Sequence, residues 1–142
     1  MFDCREKAAL NPLEKLTQVG FIKVGRWSVQ SGKPCYSLDE LAGATDVLYA
    51  FVSDGQVLYL GKTTKELRRR MYGYQRPGPT QRTNIACNAK LLEVLTAKQA
   101  VDIYVFRDPE PKQHAGIPIN LAAGLEDGLI LEFSPPWNKA GL

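Results

Sequence analysis

The most distinctive chemical feature of the sequence is a run of cations in its central part. Residues 62–90 contain eight basic side chains and one acidic one, whereas the whole 142-residue chain has a net charge of only +3. The eight are Lys62, Lys65, Arg68, Arg69, Arg70, Arg76, Arg82 and Lys90. Such a concentration of charge indicates a partner that carries phosphate groups, although a solvated basic helix face has the same composition.

Two charged residues fall on helix faces that are otherwise apolar. Helical spacing places Arg70 in one stripe with Leu67, Met71 and Tyr74. Glu126 lies in the middle of the apolar face of a later helix. A charge in such a position is costly unless it meets an opposite charge or strong hydrogen-bond partners. We therefore expect each of these two residues to have either a function or an ion-pair partner.

Two tyrosines lie on neighbouring predicted strands, at residues 46–52 and 56–60. A two-residue turn between these strands would place Tyr49 and Tyr59 on opposite faces of the sheet. A three-residue loop over 53–55, with a left-handed glycine in a bulge, would pair the two tyrosines directly. We favour the three-residue loop and expect both tyrosines on the same face.

The other elements follow from hydrophobic periodicity and capping residues. The predicted helices are 12–18, one from the N-cap Thr63 to about residue 74, 85–96, and one from 121 to about 133 behind the N-cap Asn120. The predicted strands are a hairpin of 21–24 and 27–29 with its turn at Gly25, and a strand over 101–106. Residues 75–84 and 107–118 are predicted to be loops because of their Pro and Gly content.

Composition argues against several classes of function. The chain is 44% hydrophobic and 23% charged, which is typical of a folded soluble domain. Three widely spaced cysteines and a single histidine, His114, argue against a disulfide framework, a zinc site and Cys/His catalysis. No apolar run approaches the roughly 20 residues needed to cross a bilayer. The N-terminal residues do not resemble a secretory signal, so we expect a cytoplasmic protein with no membrane partner.

The order and spacing of these residues resemble the motifs of the GIY-YIG endonuclease family. The resemblance covers residues 46–138, about two-thirds of the chain. Its pieces are Val47-Leu48-Tyr49, Tyr59-Leu60-Gly61-Lys62-Thr63, Leu67-Arg68-Arg69-Arg70-Met71, Glu126 and Asn138. The family's glycine and isoleucines are replaced at Val47, Leu48 and Leu60, which keeps the strand character.

This resemblance implies an α+β fold with a small central antiparallel sheet of about three core strands, flanked by helices. The nuclease-like domain would be residues 46–142. Residues 1–45 would be an N-terminal extension with a short helix and a β-hairpin.

The resemblance also implies hydrolysis of phosphodiester bonds in DNA with one Mg²⁺ or Mn²⁺ ion per active site. Glu126 would bind that ion, and Arg70 would clamp the phosphate. Tyr49 would be the general base, with its pKa lowered by Lys62. Tyr59 would orient the phosphate or the nucleophile.

Further positions carry over from the family pattern with less direct roles. Tyr74 occupies the position four residues after the arginine, where many members have an aromatic residue or histidine. Arg69 is an alternative to Arg70, because one extra residue lies between Gly61 and the arginine helix. Gly61 and Asn138 would be structural residues near the site, with Asn138 anchoring the C-terminal segment.

The side chains expected to contact DNA are Arg68, Arg69, Arg76, Gln81, Arg82, Asn84 and Lys90. Arginine, glutamine and asparagine can read guanine and adenine edges in the major groove, which favours a restriction-type or stand-alone enzyme. Double-strand cleavage would need a homodimer or two visits, because one site cuts one strand. The alternatives are a non-cleaving nucleic-acid-binding module of the same fold, and a repair or mobile-element nuclease acting on branched DNA or RNA.

Overall fold

The computed structural model describes residues 10–139, which form an α+β fold. The helices are α1 Pro12–Val19, α2 Leu67–Gln75, α3 Arg82–Thr96, α4 Leu121–Phe133 and α5 Pro136–Lys139. The strands are β1 Ile22–Gln30, β2 Lys33–Leu38, β3 Val47–Ser53, β4 Gln56–Thr63, β5 Val101–Phe106, β6 Lys112–His114 and β7 Ile117–Ile119. Within this range, none of the helices combines the length and apolar character needed to span a bilayer.

The main sheet is antiparallel and has five strands in the order β2-β1-β5-β3-β4. The predicted α+β class with helices flanking an antiparallel sheet is therefore confirmed. The strand count is larger than the expected three or so, because β1 pairs with β5 as well as with β2. The N-terminal strands thus extend the same sheet, and the division of the chain after residue 45 stays a prediction.

The hairpin of β3 and β4 is covered on both faces, and all seven residues of β3 are buried. On one face, here called the tyrosine face, Tyr49, Phe51 and Tyr59 pack with α2, α3 and α5. On the other, here called the aliphatic face, Leu48 and Leu60 pack with α1 and α4. In the sheet order, β4 is an edge strand. Residues from both sides can therefore meet along this edge.

The turn between β3 and β4 has two residues, Asp54 and Gly55, with positive φ angles of 52° and 76°. The predicted three-residue loop is therefore wrong. A bulge further along the hairpin shifts the register, so that Phe51 lies opposite Tyr59 and Tyr49 opposite Gly61. This bulge supplies the extra residue that the turn lacks. The prediction that both tyrosines share a face is thereby confirmed, although they do not pair directly.

The N-terminal hairpin also turns at a different place from the one predicted. β1 runs without a break through Gly25, and the chain reverses at Ser31 and Gly32 instead. A Cβ atom on Gly25 would lie 2.0 Å from the backbone oxygen of Ser37 on β2. The register between β1 and β5 shifts just before this residue. Gly25 thus allows a close approach of two strands rather than a turn.

The start of α2 is stabilised by a different part of the chain from the one predicted. The Thr63 hydroxyl accepts a hydrogen bond from the Lys65 amide and does not cap the helix, because Thr63 still belongs to β4. The amides of Leu67 and Arg68 donate to the carbonyls of Ala44 and Ala42 at 2.9 Å each. The segment before β3 therefore takes the place of the predicted Thr63 cap.

The C-terminal half agrees with the prediction for β5 and α4 and differs at two other places. Asn120 caps α4 as expected, since its side chain accepts from the Ala123 amide at 3.1 Å. α3 begins at Arg82, three residues earlier than predicted. Residues 107–118, predicted to be irregular, contain most of the β6–β7 hairpin. Its turn is Ala115-Gly116, which lacks the Asn or Asp that usually identifies such turns.

Candidate active site

A network of three tyrosines and one arginine lies at the centre of the tyrosine face. The hydroxyls of Tyr49 and Tyr74 share a hydrogen bond of 2.6 Å. The Tyr74 hydroxyl donates to that of Tyr59 at 3.4 Å. Since each phenol has a single hydrogen, Tyr49 must then donate to Tyr74. The hydroxyl hydrogen of Tyr59 is left for a partner outside this chain of phenols.

The guanidinium of Arg70 completes this network from α2. Its Nε donates to the Tyr49 hydroxyl at 2.9 Å, and its Nη2 donates to the Tyr74 hydroxyl at 2.7 Å. Its Nη1 donates to Oδ1 of Asn84 at 3.1 Å. These contacts use three of the five N–H donors of the guanidinium and leave two. The Arg70 charge on this apolar helix face is therefore met by hydroxyl oxygens of tyrosines and the amide oxygen of an asparagine.

The Arg70 side chain, which carries the two remaining donors, lines a cleft of about 560 Å³. The cleft is lined by Lys62, Thr63, Thr64, Lys65, Arg69, Arg70, Gly73, Gln81 and Asn84. Four of these residues are cations and none is acidic. Positive charge concentrated in a concave surface attracts anions. Arg69 is exposed at this cleft, whereas Arg70 is the arginine that joins the tyrosines.

Burial governs the acidity of the phenols. Desolvation raises the pKa of Tyr49, which is only 1% exposed, and the Arg70 guanidinium opposes part of that rise. Desolvation likewise raises the pKa of Tyr59 and of Tyr74. All three phenols are therefore neutral hydrogen-bonding groups at pH 7. The pKa of Arg70 is raised despite its burial, because the tyrosine oxygens face its charge.

Lys62 does not lie beside Tyr49, contrary to the prediction. It is paired with Leu48 across the hairpin and so belongs to the aliphatic face. Its ammonium lies 3.5 Å from the Glu126 carboxylate, and the two side chains are 51% and 19% exposed. The expected lowering of the Tyr49 pKa by Lys62 is therefore wrong. The cation that faces Tyr49 is Arg70.

Glu126 reaches the same region from the opposite side of the sheet. It lies on α4, which packs on the aliphatic face. Its charge is nonetheless near enough to Tyr59 to contribute to the raised pKa of that phenol. The carboxylate therefore lies along the edge strand β4, between the two faces. Lys62 and Glu126 pair along this edge, in the neighbourhood of Tyr59.

Two structural residues hold β4 in the position that this arrangement needs. A Cβ atom on Gly61 would lie 2.5 Å from the Tyr49 hydroxyl, so only glycine leaves room for the ring across the hairpin. The Asn138 side chain accepts from the Leu60 amide at 2.9 Å and donates to the Leu60 carbonyl at 2.8 Å. Asn138 thereby anchors the C-terminal segment on β4, which is the role expected for it.

The residues predicted to contact DNA divide into two groups. Arg68, Arg69 and Arg76 line a second cleft of about 630 Å³ together with Tyr36 and Tyr72. This cleft shares Arg69, Gly73 and Gln81 with the first one, so the two are continuous. Arg82 and Lys90 line neither of them. Arg68 is also paired with Glu66 at 3.0 Å.

Asn84 does not lie on a surface loop but on α3, and its role in reading bases stays a prediction. It is only 7% exposed on α3, and its oxygen accepts from Arg70. Its spacing from Cys87 and Leu91, both fully buried on the same helix, is the signal that could have identified it. The same kind of helical spacing from apolar residues placed Arg70 on an apolar helix face in the sequence analysis. The aromatic lining of the second cleft by Tyr36 and Tyr72 was also missed.

Comparison with known proteins gives a structural likeness only. No protein-family model matches the sequence, and no curated protein matches it significantly. A mutant of EndoII from bacteriophage T4 has a similar structure, with a TM-score of 0.70 and 22% identity over 91% of this chain and 99% of that chain. The restriction endonuclease Hpy188I in complex with product DNA gives a TM-score of 0.49 and 16% identity over 94% and 93%. The likeness to EndoII shows that this chain has the fold of that endonuclease.

Proposed function

We propose that this protein is a divalent-metal-dependent DNA endonuclease of the GIY-YIG type. The observation that carries the proposal is the Arg70 guanidinium, which makes three internal hydrogen bonds, has two further donors and belongs to a side chain that lines a cationic cleft. A rigid planar fork of this kind suits two oxygens of one phosphate. The shared fold with EndoII supports the proposal.

Glu126 is the carboxylate that would hold the metal ion. Among residues 10–139, no three His, Cys, Asp or Glu side chains are grouped so that they could hold a metal by themselves. A single carboxylate nevertheless fits Mg²⁺ or Mn²⁺, which take their other ligands from phosphate and water. Such an ion would neutralise charge on the phosphate oxygens and lower the pKa of groups beside it.

The tyrosines take different parts in the proposed reaction. Tyr49 is buried, accepts a hydrogen bond from Arg70 Nε and donates one to Tyr74. We therefore assign it to holding the arginine rather than to proton transfer. Tyr59 is 8% exposed, lies at the solvent end of the phenol chain and is near Glu126. We therefore assign to Tyr59 the contact with the attacking water. It would accept the water's proton as the phenolate, after losing its own proton to solvent with its pKa lowered by a cation bound beside it.

The two continuous clefts would carry the DNA strand away from the cleaved phosphate. Arg69 belongs to both clefts, and Arg76 extends the second one toward the turn after α2. Contacts with several phosphates make binding strongly dependent on salt, because each contact releases counterions. Tyr72 is half-exposed in this cleft and offers a ring on which a base or sugar can pack.

The test is cleavage of supercoiled plasmid in Mg²⁺, Mn²⁺ or EDTA. We expect wild-type protein to cut with either metal and not in EDTA. Glu126→Gln should reduce cutting at least about 100-fold, because it keeps the shape and removes the charge that binds the metal. Glu132→Gln is the matched control, since Glu132 lies on the same helix but pairs with Lys15 at 2.6 Å. Equal activity of Glu126→Gln and wild type would contradict the metal assignment.

The products then distinguish the finer versions of the proposal. Discrete fragments indicate the restriction-type activity that we propose, and a smear indicates cutting without sequence preference. Linear product whose rate rises with the square of protein concentration indicates cleavage by a homodimer. Binding of plasmid, branched DNA and RNA without cutting of any of them would instead identify a nucleic-acid-binding module.

A further inference from the structure

We propose that Asn84 is the positioning residue that sets the orientation of the Arg70 guanidinium, and that Gln81 holds Asn84 for this purpose. The proposal rests on the proposed function, in which Arg70 contacts the phosphate. Asn84 itself would contact neither substrate nor metal. Its effect would be on which way the two remaining Arg70 donors point.

The contacts form an unbroken chain from a surface loop to the arginine. The backbone amide of Gly78 donates to Gln81 Oε1 at 2.8 Å. Asn84 Nδ2 donates to the same oxygen at 3.0 Å. Arg70 Nη1 donates to Asn84 Oδ1 at 3.1 Å. Each link lies within the normal range for an N–H···O hydrogen bond.

The direction of every bond in this chain is determined by its two ends. Arginine has no acceptor, so Asn84 must present its oxygen to Arg70 and its NH₂ to Gln81. The Gly78 amide is also only a donor, so Gln81 must present its oxygen on the other side. A flip of either amide would set two donors against each other. This chain of three hydrogen bonds, here called the relay, can therefore form with only one orientation of each amide. A single orientation is what fixing the Arg70 guanidinium requires.

The place of Asn84 in the fold explains why it can control Arg70. It is only 7% exposed and projects from α3, a helix that also buries Cys87 and Leu91. Gly73 lies beside the contact, since a Cβ atom there would be 3.4 Å from Asn84 Nδ2 and 3.6 Å from Arg70 Nη1. Tyr49 and Tyr74 hold one side of the guanidinium, and Asn84 fixes the other.

The relay also connects Arg70 with the surface that would receive DNA. Gln81 is exposed and lines both continuous clefts. A nucleic acid that displaces the Gln81 side chain would release Asn84, and one that packs against it would keep the relay closed. Correct binding along the loop 76–81 would therefore favour the productive orientation of Arg70.

The experiment compares Asn84→Ala with a matched variant, Asn88→Ala. Asn88 lies one turn further along α3 and also ties this helix to α2, because its NH₂ donates to the carbonyls of Tyr74 and Gln75. Its side-chain hydrogen bonds go to these two carbonyls and not to Arg70. We expect Asn84→Ala to lower kcat about 10- to 100-fold with a change in KM below about 3-fold. Asn88→Ala should keep kcat within about 3-fold.

A second pair of variants separates positioning from DNA contact. Gln81→Glu keeps the acceptor oxygen for Asn84 and adds a negative charge to the cleft, so it should raise KM and retain kcat. Gln81→Ala removes the acceptor and should lower kcat by about the same factor as Asn84→Ala. A fall in kcat of the same size for Asn84→Ala and Asn88→Ala, or wild-type kcat in Asn84→Ala, would overturn the proposal.

A structural readout keeps this test independent of cleavage. The Nη1 protons of Arg70, which face Asn84, should give slowly exchanging NMR signals in wild type and in Asn88→Ala, and broadened, rapidly exchanging ones in Asn84→Ala. If wild-type protein cuts no nucleic acid, the proposed function fails and these signals alone decide the positioning role. Unchanged signals in Asn84→Ala would refute that role whatever the activity.

Discussion

The two faces of the β3–β4 hairpin are both buried but are specified in different ways. The aliphatic face packs residues such as Leu48 and Leu60 against α1 and α4, where volume and apolar area decide the fit. The tyrosine face buries three hydroxyls beside a guanidinium, and a buried polar group is costly unless it has a partner. Substitutions of the buried apolar residues on the aliphatic face should therefore change mainly stability, and those of the hydrogen-bonded network on the tyrosine face mainly activity.

The largest effect should follow from Arg70→Lys on the tyrosine face. Lysine keeps the charge but cannot serve both the two tyrosines and a phosphate from one ammonium. We expect kcat to fall about 10³-fold, as when a transition-state donor is removed. The measurement is single-turnover cleavage of a labelled duplex. Arg107→Lys, at an exposed position after β5, should retain kcat within about 2-fold.

The next prediction ranks two phenols on the same face. Tyr59→Phe should lower kcat by about 10²-fold or more, since it removes the proposed proton acceptor. Tyr49→Phe should lower kcat only about 10-fold, because it removes one hydrogen-bond partner of Arg70. The pH–rate profile of each variant gives a second readout. A larger loss for Tyr49→Phe would assign the general base to Tyr49 instead.

A substitution on the aliphatic face should reverse the balance between stability and activity. Leu48 is fully buried, so Leu48→Ala should lower the free energy of unfolding by about 2–5 kcal/mol. The folded fraction should retain kcat within about 3-fold, because the tyrosine network does not include this side chain. Urea denaturation measures the first quantity and active-site titration corrects the second. A 100-fold loss of kcat in folded protein would contradict the comparison.

Alkaline pH should destabilise the protein through the tyrosine face. Burial raises the pKa of Tyr49, Tyr59 and Tyr74 in the folded state, so above pH 10 the unfolded state has lost protons that the folded state retains. Burial also raises the pKa of Cys87 to about 12. The stabilisation is complete below the unfolded pKa of about 10 and falls as pH rises, by about 1.4 kcal/mol per pH unit for each tyrosine.

The measurement for this prediction is urea denaturation at pH 8, 10 and 11. Tyr59→Phe should make the decline above pH 10 less steep by the contribution of one group. Leu48→Ala should lower the free energy equally at every pH. If the free energy of unfolding falls equally steeply with pH in wild type and in Tyr59→Phe, this phenol does not contribute to the pH dependence of stability.

The smallest effects come from a pair of glycines. Gly61→Ala should destabilise by about 1–3 kcal/mol, because its Cβ would overlap the Tyr49 hydroxyl. Gly124→Ala on α4 should stabilise by up to about 1 kcal/mol, since the added Cβ would meet no atom within 4 Å apart from the adjoining residues and backbone of its own helix, and alanine favours the helix. Thermal denaturation compares the two. A stabilising Gly61→Ala would contradict the close packing on the tyrosine face.

Periodic features of this chain could be predicted from sequence because local geometry alone determines them. Helical phase placed Arg70 with Tyr74, and strand patterning located β3 and β5. What failed depended on contacts between distant segments. The cap of α2 comes from Ala42 and Ala44, which no local motif at Thr63 reveals. The bulge in β4 is a property of paired backbones, so composition of the turn gave the wrong loop length.

The candidate site was predictable to a similar degree. Tyr49, Tyr59 and Arg70 were named together from the sequence, and the structure brings these three side chains into one hydrogen-bonded network. The predicted contact of Lys62 with Tyr49 was wrong, because strand alternation places Lys62 on the opposite face. Asn84 was placed in a loop because the polar composition before Ile85 resembles one, although α3 has already begun.

The two hydrogen bonds between the Asn138 side chain and the Leu60 backbone have a consequence for self-association. β4 is the outer strand of the sheet, and outward-facing amides and carbonyls of such strands invite pairing with another molecule. The Asn138 side-chain amide bonds both backbone groups of Leu60, as a residue of one further strand would. A single side chain thus occupies the point at which a second sheet could add, and limits edge-to-edge aggregation beside the cleft.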